Sequence, residues 1–207
     1  MKIEKLILGD MKTNCYVVSF NGSAIVIDPA CSGKTIDALL RKNNYSLKAI
    51  FLTHGHPDHI GAVDYLYSIY KCSIIAHIKE KEIITGENPS KLLVLPSLKN
   101  IKVTSPIKYF QGDFYSWNIN GLIIDGIHTP GHSEGSVIYV LRNYNRIFSG
   151  DTLFKESIGR TDLPTSNKQE MLESLKLFRA FKDECKVYPG HGDSTTIGSE
   201  KLNNRYL

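Results

Sequence analysis

Apolar positions along this chain switch between strand-like and helical spacing, and the switch points mark its elements. Apolar runs over residues 3–8, 16–20 and 24–27 predict three strands, with Asn21-Gly22 as the turn between the last two. Helical spacing of Ile36, Leu39 and Leu40 predicts a helix over 33–42. Ala49-Ile50-Phe51-Leu52 is short, apolar and partly β-branched, which predicts a buried strand ending at Thr53. From Asp58 the pattern turns helical again. Ile60, Val63, Leu66, Tyr67 and Tyr70 fall on one stripe and predict a single helix to about residue 70.

Ser73 to Ala76 predicts another buried strand. Periodicity then weakens over 77–105, which reads as a flexible insertion near a site mouth, with a short helix beginning around Lys79. Further strands are predicted at 109–110, 114–119, 122–127, 137–141 and 146–148. A last clear helix follows over 167–181, with Ser166 and Gln169 as its capping pair and Met171, Leu175 and Phe178 as its buried side. A final strand covers 186–188. Strands followed by helix, twice over, predict two mixed sheets face to face with helices outside. That is an α+β four-layer αββα sandwich, in one domain over 1–207.

Composition narrows the function. A hydrophobic share of 42% with 22% charged residues is that of a globular domain. The formal charge of +4 arises from 25 basic and 21 acidic residues without a clustered basic stripe, so a nucleic-acid partner is not expected. No apolar run reaches the roughly 18 residues of a membrane span, and Met1-Lys2-Ile3-Glu4-Lys5 lacks a signal-peptide core. Cys15, Cys31, Cys72 and Cys185 form no CxxC pair, which fits reduced thiols in a cytoplasm and small core residues. Nothing in the sequence sets the oligomeric state.

The chemistry concentrates in Thr53-His54-Gly55-His56-Pro57-Asp58-His59. A lone histidine on an apolar face is more often a hydrogen-bonded core residue, but four ligand-type side chains in six positions point to metal. An extended backbone past Leu52 turns His54 and His56 to one side, and a helix starting at Asp58 aims two more ligands at the same volume. Three later ligand-type residues also follow apolar strands and sit beside glycine: His132 in Pro130-Gly131-His132, Asp151 in Ser149-Gly150-Asp151, and His191 in Pro189-Gly190-His191.

In order and spacing this set resembles the metallo-β-lactamase superfamily, over a stretch from Asn14-Cys15-Tyr16 to the C-terminus. Within it, Gly150-Asp151-Thr152-Leu153-Phe154, Ser157-Ile158-Gly159-Arg160-Thr161-Asp162 and Thr195-Thr196-Ile197-Gly198 are similar to short glyoxalase II-like thioester hydrolases. The resemblance implies the metallo-β-lactamase fold and two divalent ions, zinc first, with iron or manganese also compatible. It implies one ion on His54, His56 and His132, a second on Asp58, His59 and His191, and Asp151 bridging them. Asp28 and Thr53 are expected to support the ligands; His128, close to His132, reads either as a further support or as a solvated or core histidine, while His77 is given no role and is expected to tolerate alanine.

The implied reaction is hydrolysis of a small-molecule thioester, hydroxyacylglutathione hydrolase-like, by attack of a metal-bridging hydroxide, with Asp58 and Asp151 as the catalytic carboxylates. Arg160 is expected to hold an anionic group of the substrate, the competing reading being a structural ion pair to Asp162. Only residues 192–207 follow His191, too few for the C-terminal helical domain through which full-length glyoxalase II grips glutathione, which leaves the thiol carrier open. Two alternatives remain: a mononuclear iron persulfide dioxygenase-like enzyme, and a non-catalytic metal-binding protein on the same scaffold.

Overall fold

Side chains of strand β2 (Thr13–Phe20) leave it alternately to its two faces, and all eight residues are buried. Cys15 and Val17 enter one apolar cluster, while Tyr16, Val18 and Phe20 enter another. A strand buried on both faces needs a layer on each side. The computed structural model, which describes residues 1–91, 98 and 100–207, supplies them as an αββα sandwich.

The first sheet runs β1 (Lys2–Leu8), β2, β3 (Ser23–Ile27), β4 (Ser46–Phe51), β5 (Ser73–His77) and β6 (Lys108–Phe110) in spatial order. Its first three strands are antiparallel and β3 through β6 are parallel. The parallel crossovers carry α1 (Gly33–Lys42), α2 (Pro57–Ile60), α3 (Val63–Tyr70) and α4 (Lys81–Thr85). Ile36 and Leu40 of α1 are fully buried against this sheet, each stabilising by roughly 1.5–3 kcal/mol.

The second sheet contains β7 (Phe114–Ile119), β8 (Leu122–His128), β9 (Val137–Leu141), β10 (Arg146–Gly150), β13 (Lys186–Pro189) and β14 (Thr195–Thr196). Its spatial order is β14-β13-β10-β9-β8-β7, and β10 and β13 pair in parallel. A small ribbon of β11 (Leu153–Phe154) and β12 (Ser157–Ile158) follows Asp151. Helices α5 (Lys168–Lys176) and α6 (Ile197–Asn203) contribute Met171, Leu175 and Ile197 to the outer cluster of this sheet. Between the sheets lie Phe51, Tyr139 and Phe148. No helix among the described residues is long and apolar enough to cross a membrane.

Several expectations change. The single helix from Asp58 to Tyr70 is two helices, because Ala62 gives its N–H to Pro29 O (2.8 Å) and Gly61 lies so close to Ala30 O that no side chain fits. The cap of α5 is Asn167, whose Oδ1 accepts from the N–H groups of Gln169 and Glu170; Ser166 instead donates to His132 O at 2.6 Å. Helix α6 was not expected. Its local signal was Thr196, which accepts from Ser199 N. The region 77–105 opens with order, through β5, a 3-10 turn (Ile78–Glu80) and α4, while 92–97 and 99 fall outside the described residues. Cys15, Cys72 and Cys185 are buried as expected, and Cys31 is half-buried.

Candidate metal centre

Every ligand candidate leaves the end of a strand on one rim of the sandwich. Residues 54–59 follow β4, His132 follows β8, Asp151 follows β10 and His191 follows β13. Cross-links hold these ends together. Val137 N–H reaches Thr53 O (2.8 Å), Tyr139 Oη–H reaches Leu52 O (2.8 Å), and Tyr16 Oη–H reaches Pro189 O (2.7 Å).

The structure brings the seven candidates together as two groups and a shared carboxylate. His54, His56 and His132 form one group, and Asp58, His59 and His191 the other. His132 Nε2 stands 3.0 Å from His56 Nδ1, and His59 Nε2 stands 3.3 Å from His191 Nε2. Asp151 lies between: Oδ1 is 3.6 Å from His59 Nε2, while Oδ2 is 3.6 Å from His132 Nε2 and 3.5 Å from His191 Nε2.

Surrounding acceptors set which nitrogen of His59, His132 and His191 faces inward. His59 Nδ1–H donates to Asp28 Oδ2 (2.9 Å), His132 Nδ1–H to Arg160 O (3.0 Å) and His191 Nδ1–H to Met11 O (3.1 Å). Their Nε2 lone pairs then point into the centre. Facing lone pairs of His59 and His191 at 3.3 Å repel unless a proton or a cation lies between them. His54 Nε2 and Asp151 Oδ1 are buried without a hydrogen-bond partner among the described residues. Two ligands held tetrahedrally at 2.0–2.1 Å from a zinc-sized ion stand about 3.3–3.4 Å apart. The observed edges straddle that value, so the donor set fits metal.

Electrostatics divide the two groups. Burial, and then the neighbouring rings, push His54 and His56 well below the ordinary histidine value, and burial lowers His132. Those three rings are neutral and ready to ligate. Burial also opposes charge on His59, but Asp58, Asp151 and Asp28 outweigh it and hold the ring up at about 10. His191 is raised by Asp58 and Asp151 against its own desolvation. This second group seeks positive charge.

The supporting residues divide as well. Asp28 Oδ1 accepts from Thr53 N (2.8 Å), and its Oδ2 accepts from Thr53 Oγ1 (2.6 Å) as well as from His59. His128 does not hydrogen-bond the His132 ring but the backbone two residues beyond it. Its Nε2–H donates to Glu134 O (2.8 Å) and its ring stacks on His77 at 4.3 Å. His77, given no role from sequence, is 2% exposed in the core. The Arg160 guanidinium forks onto Asp162 with two 2.9 Å bonds, yet Arg160 also lines the cleft above the centre. Sequence reasoning missed Thr13, whose hydroxyl donates to Asp58 Oδ2 (2.8 Å), and the Met11 carbonyl. Their only sequence signal is proximity to the Asn14-Cys15-Tyr16 stretch.

The cleft is a cavity of about 570 Å³ over His56, Asp58, His132, Asp151 and His191, walled by Met11, Pro57, Leu98, Phe154 and Leu163.

Comparison with known proteins adds to this geometry. The family model described as "Metallo-beta-lactamase superfamily" matches residues 8–191. A Streptococcus pyogenes protein described as a probable metallo-hydrolase is 34% identical over 213 residues, covering 100% of this chain and 90% of its own. The hydroxyacylglutathione hydrolase GloC of Haemophilus influenzae is 29% identical, covering 100% and 98%. Among solved structures, the BLEG-1 B3 metallo-beta-lactamase aligns with a TM-score of 0.90 at 33% identity, covering 100% of this chain and 99% of that one. The di-iron-bound form of TTHA1623 aligns at 0.85 and 30% identity, covering 99% and 100%.

Proposed function

Because the chain belongs to the metallo-beta-lactamase superfamily, we propose that its two ligand groups make it a two-metal hydrolase, and that its substrates are small-molecule thioesters. The observation that carries the reading is the Asp151 carboxylate, whose oxygens stand 3.5–3.6 Å from rings of both groups, Oδ2 reaching His132 of one and His191 of the other. His54, His56 and His132 would hold one ion, Asp58, His59 and His191 the other, and Asp151 would reach both; zinc, iron and manganese all suit imidazole and carboxylate donors. Divalent ions held there supply Lewis acidity to a substrate carbonyl and lower the pKa of bound water toward about 7.

The chain's own residues supply the rest. Asp28, Arg160 O and Met11 O fix the ring tautomers. The apolar cleft walls keep bulk water off the reacting carbonyl. The described lining offers no proton donor outside the ligands, since an arginine stays protonated above pH 12. A leaving group must therefore depart as an anion. A thiolate, of conjugate pKa near 8.5, does so readily, whereas an amide nitrogen does not. Arg160 at the cleft rim can exchange Asp162 for a carboxylate of the substrate, because its present pair is solvent-exposed and weak. The name of the GloC relative points the same way.

A β-lactam is the second reading, supported by the BLEG-1 likeness. The completeness of the Asp58, His59 and His191 group speaks against chemistry at a single iron. The test is a panel of thioesters, a β-lactam and a persulfide on protein of measured metal content. Thioester turnover is expected to rise with metal up to two ions per chain and to vanish with a chelator. Consumption of β-lactam or persulfide with thioesters untouched would overturn the proposal.

A further inference from the structure

Glu80 is fully buried, yet among the described residues no lysine, arginine or histidine lies within ion-pair distance of it. A carboxylate in such a place is costly unless hydrogen bonds replace its water. The bonds are there. Oε2 accepts the N–H of Gly55 at 2.7 Å and Oε1 accepts the N–H of Gly135 at 2.7 Å. Both lengths are those of charge-assisted bonds. Gly55 is the residue between His54 and His56. Gly135 lies three residues after His132, in the loop that carries that ring.

Glu80 ends the 3-10 turn that follows β5 and starts α4, whose Ile83 and Ile84 are buried. The anchor is therefore part of the core. Neither glycine could carry a side chain: a Cβ on Gly55 would stand 2.8 Å from Ile84 Cγ1 and 3.0 Å from Glu80 Oε2, and one on Gly135 would stand 2.8 Å from Glu80 Cγ and Oε1. The two loops thus press onto one carboxylate, each at its own oxygen. Those loops come from different sheets, yet their His56 and His132 nitrogens stand only 3.0 Å apart.

We propose that Glu80 is a positioning residue for the three-histidine group, a clamp that sets His54 and His56 against His132 by accepting one backbone N–H from each loop. The proposal rests on the two-metal reading of the centre. The two oxygens of a glutamate give each loop an acceptor of its own. A glutamine can accept from one glycine but turns its NH₂ against the other, and an aspartate is one methylene too short to reach both. Asp58, His59, His191 and Asp151 are not bonded to Glu80, and His191 and Asp151 sit on other loops, so the other group is affected less.

The test is zinc titration of the metal-free full chain against a chromophoric chelator of known affinity, for wild type, Glu80→Gln, Glu80→Asp and Asp64→Asn. The last is the control. Asp64 also accepts two backbone N–H groups, from Thr104 and Ser105 at 2.9 Å each, but touches neither histidine loop. In the Glu80 variants one zinc equivalent is expected to weaken 10–100-fold, the loss typical of a broken ligand support, with the other within about threefold. The cobalt(II) spectrum of the weakened site should change as well. Asp64→Asn should lower the melting temperature and leave both affinities alone. Unchanged affinities in the Glu80 variants, or equal weakening of both equivalents, would overturn the clamp. So would failure of both Glu80 variants to fold, which would assign the residue to the core alone. A wild type that binds no zinc would instead refute the two-metal reading.

Discussion

His77→Phe isolates one buried titration from the rest of the protein. His77 is 2% exposed, neither ring nitrogen has a hydrogen-bond partner among the described residues, and the ring is stacked on His128 and edged by Phe110. Burial, aided by the neighbouring His128, pushes its pKa down from the ordinary value to about 4. The unfolded chain takes up a proton near pH 6.5, while the folded chain waits until about pH 4. Stability is therefore complete above pH 6.5 and is lost as pH falls from 6.5 toward 4. Between pH 7.5 and pH 5 the loss integrates to about 2 kcal/mol, or ~1 kcal/mol if the folded state relaxes around the charge. Phenylalanine has nothing to protonate and leaves no unsatisfied nitrogen.

The assay is urea unfolding of metal-free wild type and His77→Phe at pH 7.5 and pH 5.0, with chelator throughout. The ligand histidines titrate in both proteins, so their contributions cancel in the difference. The variant is expected to match or exceed wild type at pH 7.5 and to gain about 1–2 kcal/mol over it at pH 5. An equal difference at both pH values would refute the argument. His77→Ala, expected from sequence to be harmless, should instead cost about 2 kcal/mol or more through the cavity it leaves.

Three further outcomes can be checked. Asp28→Ala removes the acceptor that holds the His59 Nδ1–H and should weaken binding of one ion by 10–100-fold, read by chelator competition; wild-type affinity for both ions would count against the assigned tautomer. Gly190→Ala places a Cβ against Asp151 Oδ1 and 2.8 Å from His59 Cε1, so elemental analysis should find fewer than two ions per chain in a folded variant, and full loading would show that the loop yields. Arg160→Lys should raise KM for an acidic thioester and spare a neutral one, at an unchanged melting temperature because its Asp162 partner is exposed; parallel losses on both substrates would assign Arg160 to structure.

Much of this architecture is legible in single segments. The continuous apolar runs of β2 and β4 specify strands buried on both faces, because a side-chain period of two leaves no other way to bury such runs. The ligand types announce themselves through residue chemistry and the glycines beside them. Where neighbours in space decide, the sequence is silent. Gly61 lies within a helical stripe, and only the approach of the Pro29-Ala30 backbone breaks the helix there. His128 is four residues from His132 and looks like a direct partner of that ring, but it stacks on His77 and bonds the Glu134 carbonyl instead.

The inward lone pairs of the centre depend on acceptors that no local pattern marks. Met11 O and His191 are 180 residues apart, Arg160 O and His132 are 28 apart, and the Glu80 carboxylate lies 25 residues from Gly55 and 55 from Gly135. Backbone carbonyls and N–H groups are common to nearly all residues, so their identity carries no signal. Residue types and spacing determined which side chains can ligate. Only the packing of the two sheets decided which nitrogen each ring turns inward, because that choice is made by hydrogen bonds between segments that first meet in the folded state.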